Sequence, residues 1–291
     1  MWLQWGQAFV IAIVLAAFGL AARSARRREV VVAGGFARET ALVLVLYGMW
    51  QYAIAHSTQV PGAIARARWI WHVERVLHLP SELSLQHLLL PHPLLVQAAN
   101  AYYALAHVNA FLIFLIWLFV RHRDQYPPVR NTLAIATGAS LVIRLWSVAP
   151  PRMLGGLGFV DTGFRYHQSV YQHGSFGDVA AMPSVHVVWA VLIGVAVWQI
   201  SESRWRWIGP GHAVLTILVI TVTANHWWAD GIVGVWLLAL AWLVQRWAPM
   251  LARGMRTRLA TPRARTAPGW EGATLTSAHA ALATDAAPAR D

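Results

Sequence analysis

The segment NHWWAD, residues 225–230, places His226 and Asp230 four residues apart at the predicted start of a helix. Side chains at this spacing lie on one helical face. A carboxylate that accepts a hydrogen bond from one ring nitrogen orients the imidazole and leaves the lone pair of the other nitrogen free to attack. The pair therefore predicts a histidine nucleophile with an orienting aspartate. A capped helix start with a locally satisfied histidine is the alternative.

A second cluster, AMPSVH at 181–186, opens another apolar segment with a serine and a histidine. Ser184 and His186 stand at a predicted helix N-terminus, where free N–H groups and a partial positive charge favour a phosphate group. Ser184 is a candidate phosphate ligand, and His186 is a candidate general acid for a leaving oxygen. An N-cap serine beside an interfacial histidine is the alternative.

The third cluster, RLWSVAPPRML at 144–154, contributes Arg144 and Arg152. A guanidinium group matches the geometry of phosphate oxygens. An arginine inside an apolar span is costly and usually functional, although Arg144 could also extend its charge to the interface. A nucleophile, an acid and two cations together predict phosphoryl transfer, which depends mainly on positioning and charge stabilisation.

Hydropathy predicts the elements that carry these residues. The 291-residue chain is 57% hydrophobic and 12% charged, whereas a soluble domain has about 25% charged residues. Apolar runs of membrane-spanning length predict an all-α, polytopic membrane helix bundle of about six to seven transmembrane helices with an interfacial amphipathic helix. The predicted spans are 3–22, 40–56, 101–120, 131–149, 184–200, 210–225 and 229–247.

Arginines are distributed unequally between alternate loops. Sixteen lie in one set of segments and five in the other. Because basic loops stay cytoplasmic, the sequence predicts a multi-pass cell-membrane protein whose three polar clusters face the outside or periplasm and whose C-terminal tail is cytoplasmic. The basic set is 23–39, 121–130, 201–209 and 246–265, and the opposite set is 57–100 and 150–183.

Charge and composition also exclude classes of function. The net charge of +11 could indicate a nucleic-acid partner, but the arginines sit in short loops beside apolar runs, so none is predicted. Cysteine is absent, which excludes thiolate chemistry and cysteine-ligated metals. Because no His and Glu set has zinc spacing, neither a metal nor a cofactor is predicted.

Four segments are expected along the chain. Residues 1–56 are predicted to form a transmembrane hairpin, and 57–100 to form an interfacial amphipathic segment, because AIARARWIWHVERVLHL alternates arginine with Trp, Ile and Val. Residues 101–250 are predicted to form the catalytic membrane core. The Ala-, Thr-, Pro- and Arg-rich segment 251–291 is predicted to be disordered.

The motifs MPSVH and NHWWAD resemble the second and third signature motifs of the type 2 phosphatidic acid phosphatase superfamily of membrane lipid phosphatases. APPRM, FGDVAAMPSVHVVWA and TANHWWADGIVG are similar to its bacterial branch related to inositol phosphorylceramide synthases, over roughly residues 100–247. The resemblance implies that His226 accepts the phosphoryl group as a phosphohistidine and that Asp230 orients it. It also implies that His186 is the general acid and Ser184 a phosphate ligand, without a metal.

The chain departs from the superfamily pattern around the phosphate ligands. The superfamily has a Ser-Arg pair ahead of the third-motif histidine, where Val219 and Ile220 stand here. Its first motif usually pairs a lysine with Arg-Pro, whereas this chain has Arg144 and then Pro151–Arg152 in reversed order. Phosphate binding is therefore assigned first to Arg152 and then to Arg144.

Four further residues are candidate substrate ligands. NAYYALAH, with Tyr103 and His107 four apart, is similar to a Tyr and His in an earlier span of the synthase-like branch; a buried packing role for His107 is the alternative. Asn225 belongs to the third motif. His167 lies in the polar segment FRYHQSVYQHGSFGD, residues 164–178, which is a predicted lid.

These features predict an integral-membrane phosphatase or phosphotransferase that acts on a lipid-linked phosphate in the bilayer. The sequence does not specify the lipid or the oligomeric state. It also leaves the acceptor open, which could be water or a hydroxyl of a sugar or inositol. A transporter or channel that uses intramembrane His and Arg is the rival hypothesis. It predicts inverted repeats or broken helices in both halves, and the sequence shows neither.

Overall fold

The computed structural model describes residues 3–56, 60–169 and 179–260, and over these ranges the chain is helical and has no β-strand. This confirms the predicted all-α fold class. Residues Met1–Met250 form one compact unit, and Leu251–Asp291 is a separate unit. The α-helices are α1 (Trp5–Ala21), α2 (Arg28–His56), α3 (Val60–Val76), α4 (Glu82–Leu89), α5 (Pro93–Ala101), α6 (His107–Arg121), α7 (Tyr126–Arg144), α8 (Thr162–Arg165), α9 (Val185–Ile200), α10 (Ile208–Val222) and α11 (Trp228–Ala260).

Five helical segments of the described chain are long and apolar enough to cross a membrane. A sixth predicted span, 184–200, corresponds to the shorter apolar helix α9. The seventh, 131–149, is shifted towards the N-terminus, because α7 begins at Tyr126 with prolines in its first turn, where proline is tolerated. The five spans are Trp5–Ser24, Arg28–Ala53, Pro93–Arg121, Arg204–Val222 and Trp228–Trp247.

Two helices begin earlier than the hydropathy pattern predicted. α2 begins at Arg28 instead of residue 40, because the polar residues of its first half find tertiary partners. Arg38 donates to the Gly19 carbonyl at 2.6 Å, and Glu39 accepts from the Tyr126 hydroxyl at 3.1 Å. The predicted span 101–120 instead extends over Pro93–Arg121, so the end of the predicted interfacial segment lies in a helical segment that is long and apolar enough to cross a membrane.

The continuous helix Pro93–Arg121 contains a π-helical turn at Tyr102–Ala106 between α5 and α6. Such turns insert one residue into the i→i−4 ladder and occur frequently at functional sites. This turn carries Tyr103 and ends directly before His107. It therefore sets the direction of two predicted substrate ligands.

One face of α3 packs on protein. Ala63, Ala67 and Ile70 are buried at helical spacing and join a hydrophobic core with Ala149 and Trp227. On the same helix Trp69 is 67% exposed. α3 is therefore amphipathic, as the sequence predicts. Its buried face contacts the loops that carry the polar clusters.

Parts of two predicted segments lie outside the described residues. Residues 170–178 of the predicted lid and residues 261–291 of the predicted disordered tail are not among them. α11 extends to Ala260, so residues 251–260 at the beginning of that tail are helical.

Candidate active site

The three polar clusters meet at one end of the helices, and backbone hydrogen bonds join them in pairs. The Ala181 amide donates to the Val148 carbonyl at 2.9 Å, which joins the second cluster to the first. The Arg152 amide donates to the Ala224 carbonyl at 2.9 Å, directly before the third cluster. The second and third clusters are joined by a further bond, from the Ser184 amide to the Asp230 carbonyl at 3.1 Å.

His226 and Asp230 form the predicted pair. His226 Nδ1 lies 3.2 Å from Asp230 Oδ2, and the exposed fractions of the two residues are 5% and 0%. The same carboxylate oxygen accepts a hydrogen bond from the Trp227 amide at 2.9 Å, which fixes its position. With the Nδ1 proton donated to the carboxylate, the lone pair of His226 is on Nε2.

The environment of His226 keeps its imidazole neutral. Burial, followed by the positive charge of the Arg152 guanidinium, lowers the pKa of His226 to about 3. The neutral ring is the form in which a nitrogen lone pair can attack phosphorus. This neutral form is the one that the predicted nucleophilic role of His226 requires.

His186 faces this nucleophile from the first turn of α9. Its Nδ1 lies 3.4 Å from His226 Nε2. The Tyr103 ring stacks on His186 with centroids 4.6 Å apart, and the His107 ring lies 4.8 Å away. Ser184 caps α9, because its Oγ accepts a hydrogen bond from the Val187 amide at 3.3 Å, and its own hydroxyl proton remains available to a phosphate oxygen.

The direct contact between the two imidazoles represents a closed arrangement. An attacking atom stands about 3–3.5 Å from the reacting centre, and a proton donor stands about 2.6–3.2 Å from the leaving oxygen. The 3.4 Å between His226 Nε2 and His186 Nδ1 is too short to contain a phosphorus and a leaving oxygen in line. The predicted roles of the two histidines therefore require the rings to move apart when a phosphate enters.

Two buried arginines supply positive charge beside the imidazoles. Arg152 is 7% exposed and its Nε lies 3.4 Å from Asp161 Oδ2. Arg144 is 8% exposed and its guanidinium lies 5.2 Å from the centre of the Trp50 ring, so its charge does not extend to solvent. Both charges act on His226. An entering phosphate would compete with Asp161 for Arg152.

A small cavity of about 10 Å³, lined mainly by polar residues, adjoins Arg152. Tyr103 and Asn225, two predicted substrate ligands, line it. His167 is exposed, and the following residue, Gln168, lines the cavity instead. His107 is 2% exposed and stacks between the Trp189 and His212 rings. The full lining is Asn100, Tyr103, Arg152, Asp161, Gly163, Gln168, Ser169 and Asn225.

Three acidic residues near the site were not predicted from the sequence. Asp161 pairs with Arg152, and Glu74 and Glu82 are buried against the start of α11. A signal was present, because the chain has only 12 acidic residues. In a membrane protein with so few carboxylates each one is a candidate for a functional role, but of these three only Asp161 lies near a predicted cluster in the sequence.

Comparison with family models matches residues 68–244 to a model described as the PAP2 superfamily. The matched range begins in α3, ends in α11 and contains all three polar clusters. Searches of curated proteins and of solved structures find no match.

Proposed function

Because the chain belongs to the PAP2 superfamily, we propose that it is an integral-membrane enzyme that transfers the phosphoryl group of a lipid phosphate through a phosphohistidine at His226. The observation that carries this proposal is the orientation of one imidazole. Asp230 binds His226 Nδ1, and Nε2 points at His186. We also propose that the chain is related to the branch of this superfamily that resembles inositol phosphorylceramide synthases, on the motif similarity described above.

In the first half-reaction, His226 Nε2 attacks the phosphorus of the substrate. The N–P bond forms, the bond from phosphorus to the lipid oxygen breaks, and that oxygen takes a proton from protonated His186. A bound phosphate favours the protonated form of His186, because opposite charges attract. Asp230 stabilises the positive charge that develops on the His226 ring.

In the second half-reaction, an acceptor hydroxyl attacks the phosphohistidine. His186 takes the acceptor proton, the N–P bond breaks, and His226 returns to its neutral form. Water as acceptor gives a phosphatase, and an alcohol gives a phosphotransferase. Arg152, Arg144 and the capped N-terminus of α9 would stabilise the charge of the phosphoryl group without a metal.

A direct test uses the purified chain in vesicles with ³²P-labelled lipid phosphates, both monoesters and headgroup diesters. We expect ester turnover and a labelled protein whose label survives alkali and is lost in acid, as a phosphoramidate bond requires. Addition of a soluble polyol should divert label from inorganic phosphate to the polyol if the enzyme is a transferase. Turnover without acid-labile label would contradict the intermediate, and solute flux without ester turnover would support the transporter.

We further propose that the site faces the outside of the cell membrane and that the C-terminal tail is cytoplasmic. The support is the distribution of sixteen against five arginines between alternate segments. The chain has no cysteine, so single cysteines can report the side. In intact cells a membrane-impermeant maleimide should label H78C and should label E202C only after permeabilisation; the opposite pattern would reverse the orientation.

A further inference from the structure

The N-terminal turn of α11 binds two glutamates from distant helices. A helix start leaves its first backbone N–H groups without helical partners. The Trp228 amide donates to Glu82 Oε1 of α4 at 3.3 Å, and the Ala229 amide donates to Glu74 Oε1 of α3 at 2.8 Å. Since Asp230 Oδ2 accepts from the Trp227 amide, the three consecutive N–H groups of residues 227–229 each bind a different carboxyl group.

Both glutamates are buried at this contact. Glu74 is 1% exposed and Glu82 is 0% exposed. Arg75 donates to Glu82 Oε2 at 3.3 Å and so pairs with the charge of Glu82. Buried carboxyl groups are costly unless they are hydrogen-bonded or paired. A role that needed only a helix cap could have been filled by an exposed Ser or Asn.

We propose that Glu74 and Glu82 are positioning residues that fix the first turn of α11 and thereby the place of His226 opposite His186. The inference rests on the proposed function of the two histidines. Asp230, which orients His226, lies in this same turn, so any displacement of the turn moves the carboxylate relative to the ring. Misplacement by about 1 Å can cost roughly 10²-fold in rate.

The protonation of Glu74 follows from its surroundings. Burial, followed by the neighbouring Glu82, raises the pKa of Glu74 to about 9. At neutral pH Glu74 is therefore a neutral acid that accepts from the Ala229 amide and can donate its own proton to Glu82. The charged groups around it are Glu82 of α4, Asp230 of α11 and Arg75 of α3. Ionisation above pH 9 would place a second negative charge against Glu82.

The test compares E74A, E74Q and the control E39A. Glu39 is a glutamate that pairs with Arg130 near the beginning of α7, whereas the site adjoins its end. We expect E74A to lower kcat by about 10- to 100-fold with little change in KM, and E39A to leave kcat unchanged. E74Q should retain most activity at pH 7, because its amide oxygen accepts from Ala229 and its NH₂ donates to Glu82. Unchanged kcat in E74A would overturn the proposal.

The pH profile adds a readout that a general loss of structure would not produce. Wild-type kcat should fall as the pH rises through about 9, and E74Q, which cannot ionise, should lack this fall. The free energy of unfolding should change in the same direction. The folded-state pKa of Glu74 is raised from 4.5, so the contribution of Glu74 to stability is full below pH 4.5 and is lost as the pH rises through about 9. An alkaline decline that is identical in wild type and E74Q would contradict the assigned protonation.

Hydrogen exchange separates this inference from the proposed function. In E74A the amides of residues 227–229 should exchange faster than in wild type, whereas E74Q and E39A should match wild type. Should the wild-type chain turn over no ester, the proposed function fails, and exchange still shows whether the glutamates fix the turn. Exchange in E74A that equals wild type would overturn the inference even if the enzyme is active.

Discussion

Replacement of His226 with alanine is expected to lower ester turnover by roughly 10⁴-fold or more and to abolish the acid-labile phosphoprotein. The reason is geometric. His226 Nδ1 contacts Asp230 and Nε2 faces His186, so in the tautomer with the proton on Nδ1 the lone pair is on Nε2. Residual turnover would come from Arg152, Arg144 and the helix start, which still bind the phosphoryl group.

Two comparison variants make the H226A result specific. His72 on α3 is exposed, so H72A removes an imidazole without touching the proposed site and should leave turnover unchanged. D230N retains the ring of His226 but replaces the carboxylate acceptor, so it should form phosphoprotein slowly. Phosphate release and acid-labile label are measured in parallel. A label that persists in H226A would place the nucleophile elsewhere and contradict the mechanism.

The parts of this site that sequence predicted are those that depend on local spacing. The contact between His226 and Asp230 follows from four residues of helix, and the capping hydroxyl of Ser184 follows from its place before an apolar run. Convergence of the three clusters required one more step, the alternation of spans across the membrane. Each of these inferences uses either the regular period of a helix or the fact that successive spans end on alternate sides of the membrane.

The parts that sequence did not predict depend on contacts between distant segments. Glu82 and Trp228 are 146 residues apart in the chain, and Glu74 and Ala229 are 155 apart. An amphipathic pattern shows which face of α3 is apolar but not whether lipid or protein covers it. The early start of α2 likewise depends on a tertiary contact, because Arg38 is satisfied by the Gly19 carbonyl of α1.

Replacement of His186 with alanine is expected to affect substrates according to their leaving groups. For a lipid alkyl phosphate, whose leaving alkoxide is strongly basic, loss of the acid should lower turnover by about 10²- to 10⁴-fold. For p-nitrophenyl phosphate the leaving phenolate needs no proton, so formation of the phosphohistidine should change by about tenfold or less. The two rates are compared in H186A and wild type by single-turnover measurements.

The same variant separates the two half-reactions, because in the proposed mechanism His186 acts as an acid in the first and as a base in the second. With p-nitrophenyl phosphate, H186A should release one equivalent of nitrophenol quickly and then accumulate phosphohistidine, since the group that accepts the proton of the acceptor is gone. Wild type should hold only a small steady-state fraction of phosphohistidine under the same conditions. Equal losses for alkyl and aryl substrates would mean that His186 transfers no proton and that its contact with His226, 3.4 Å between nitrogens, serves only to support the ring.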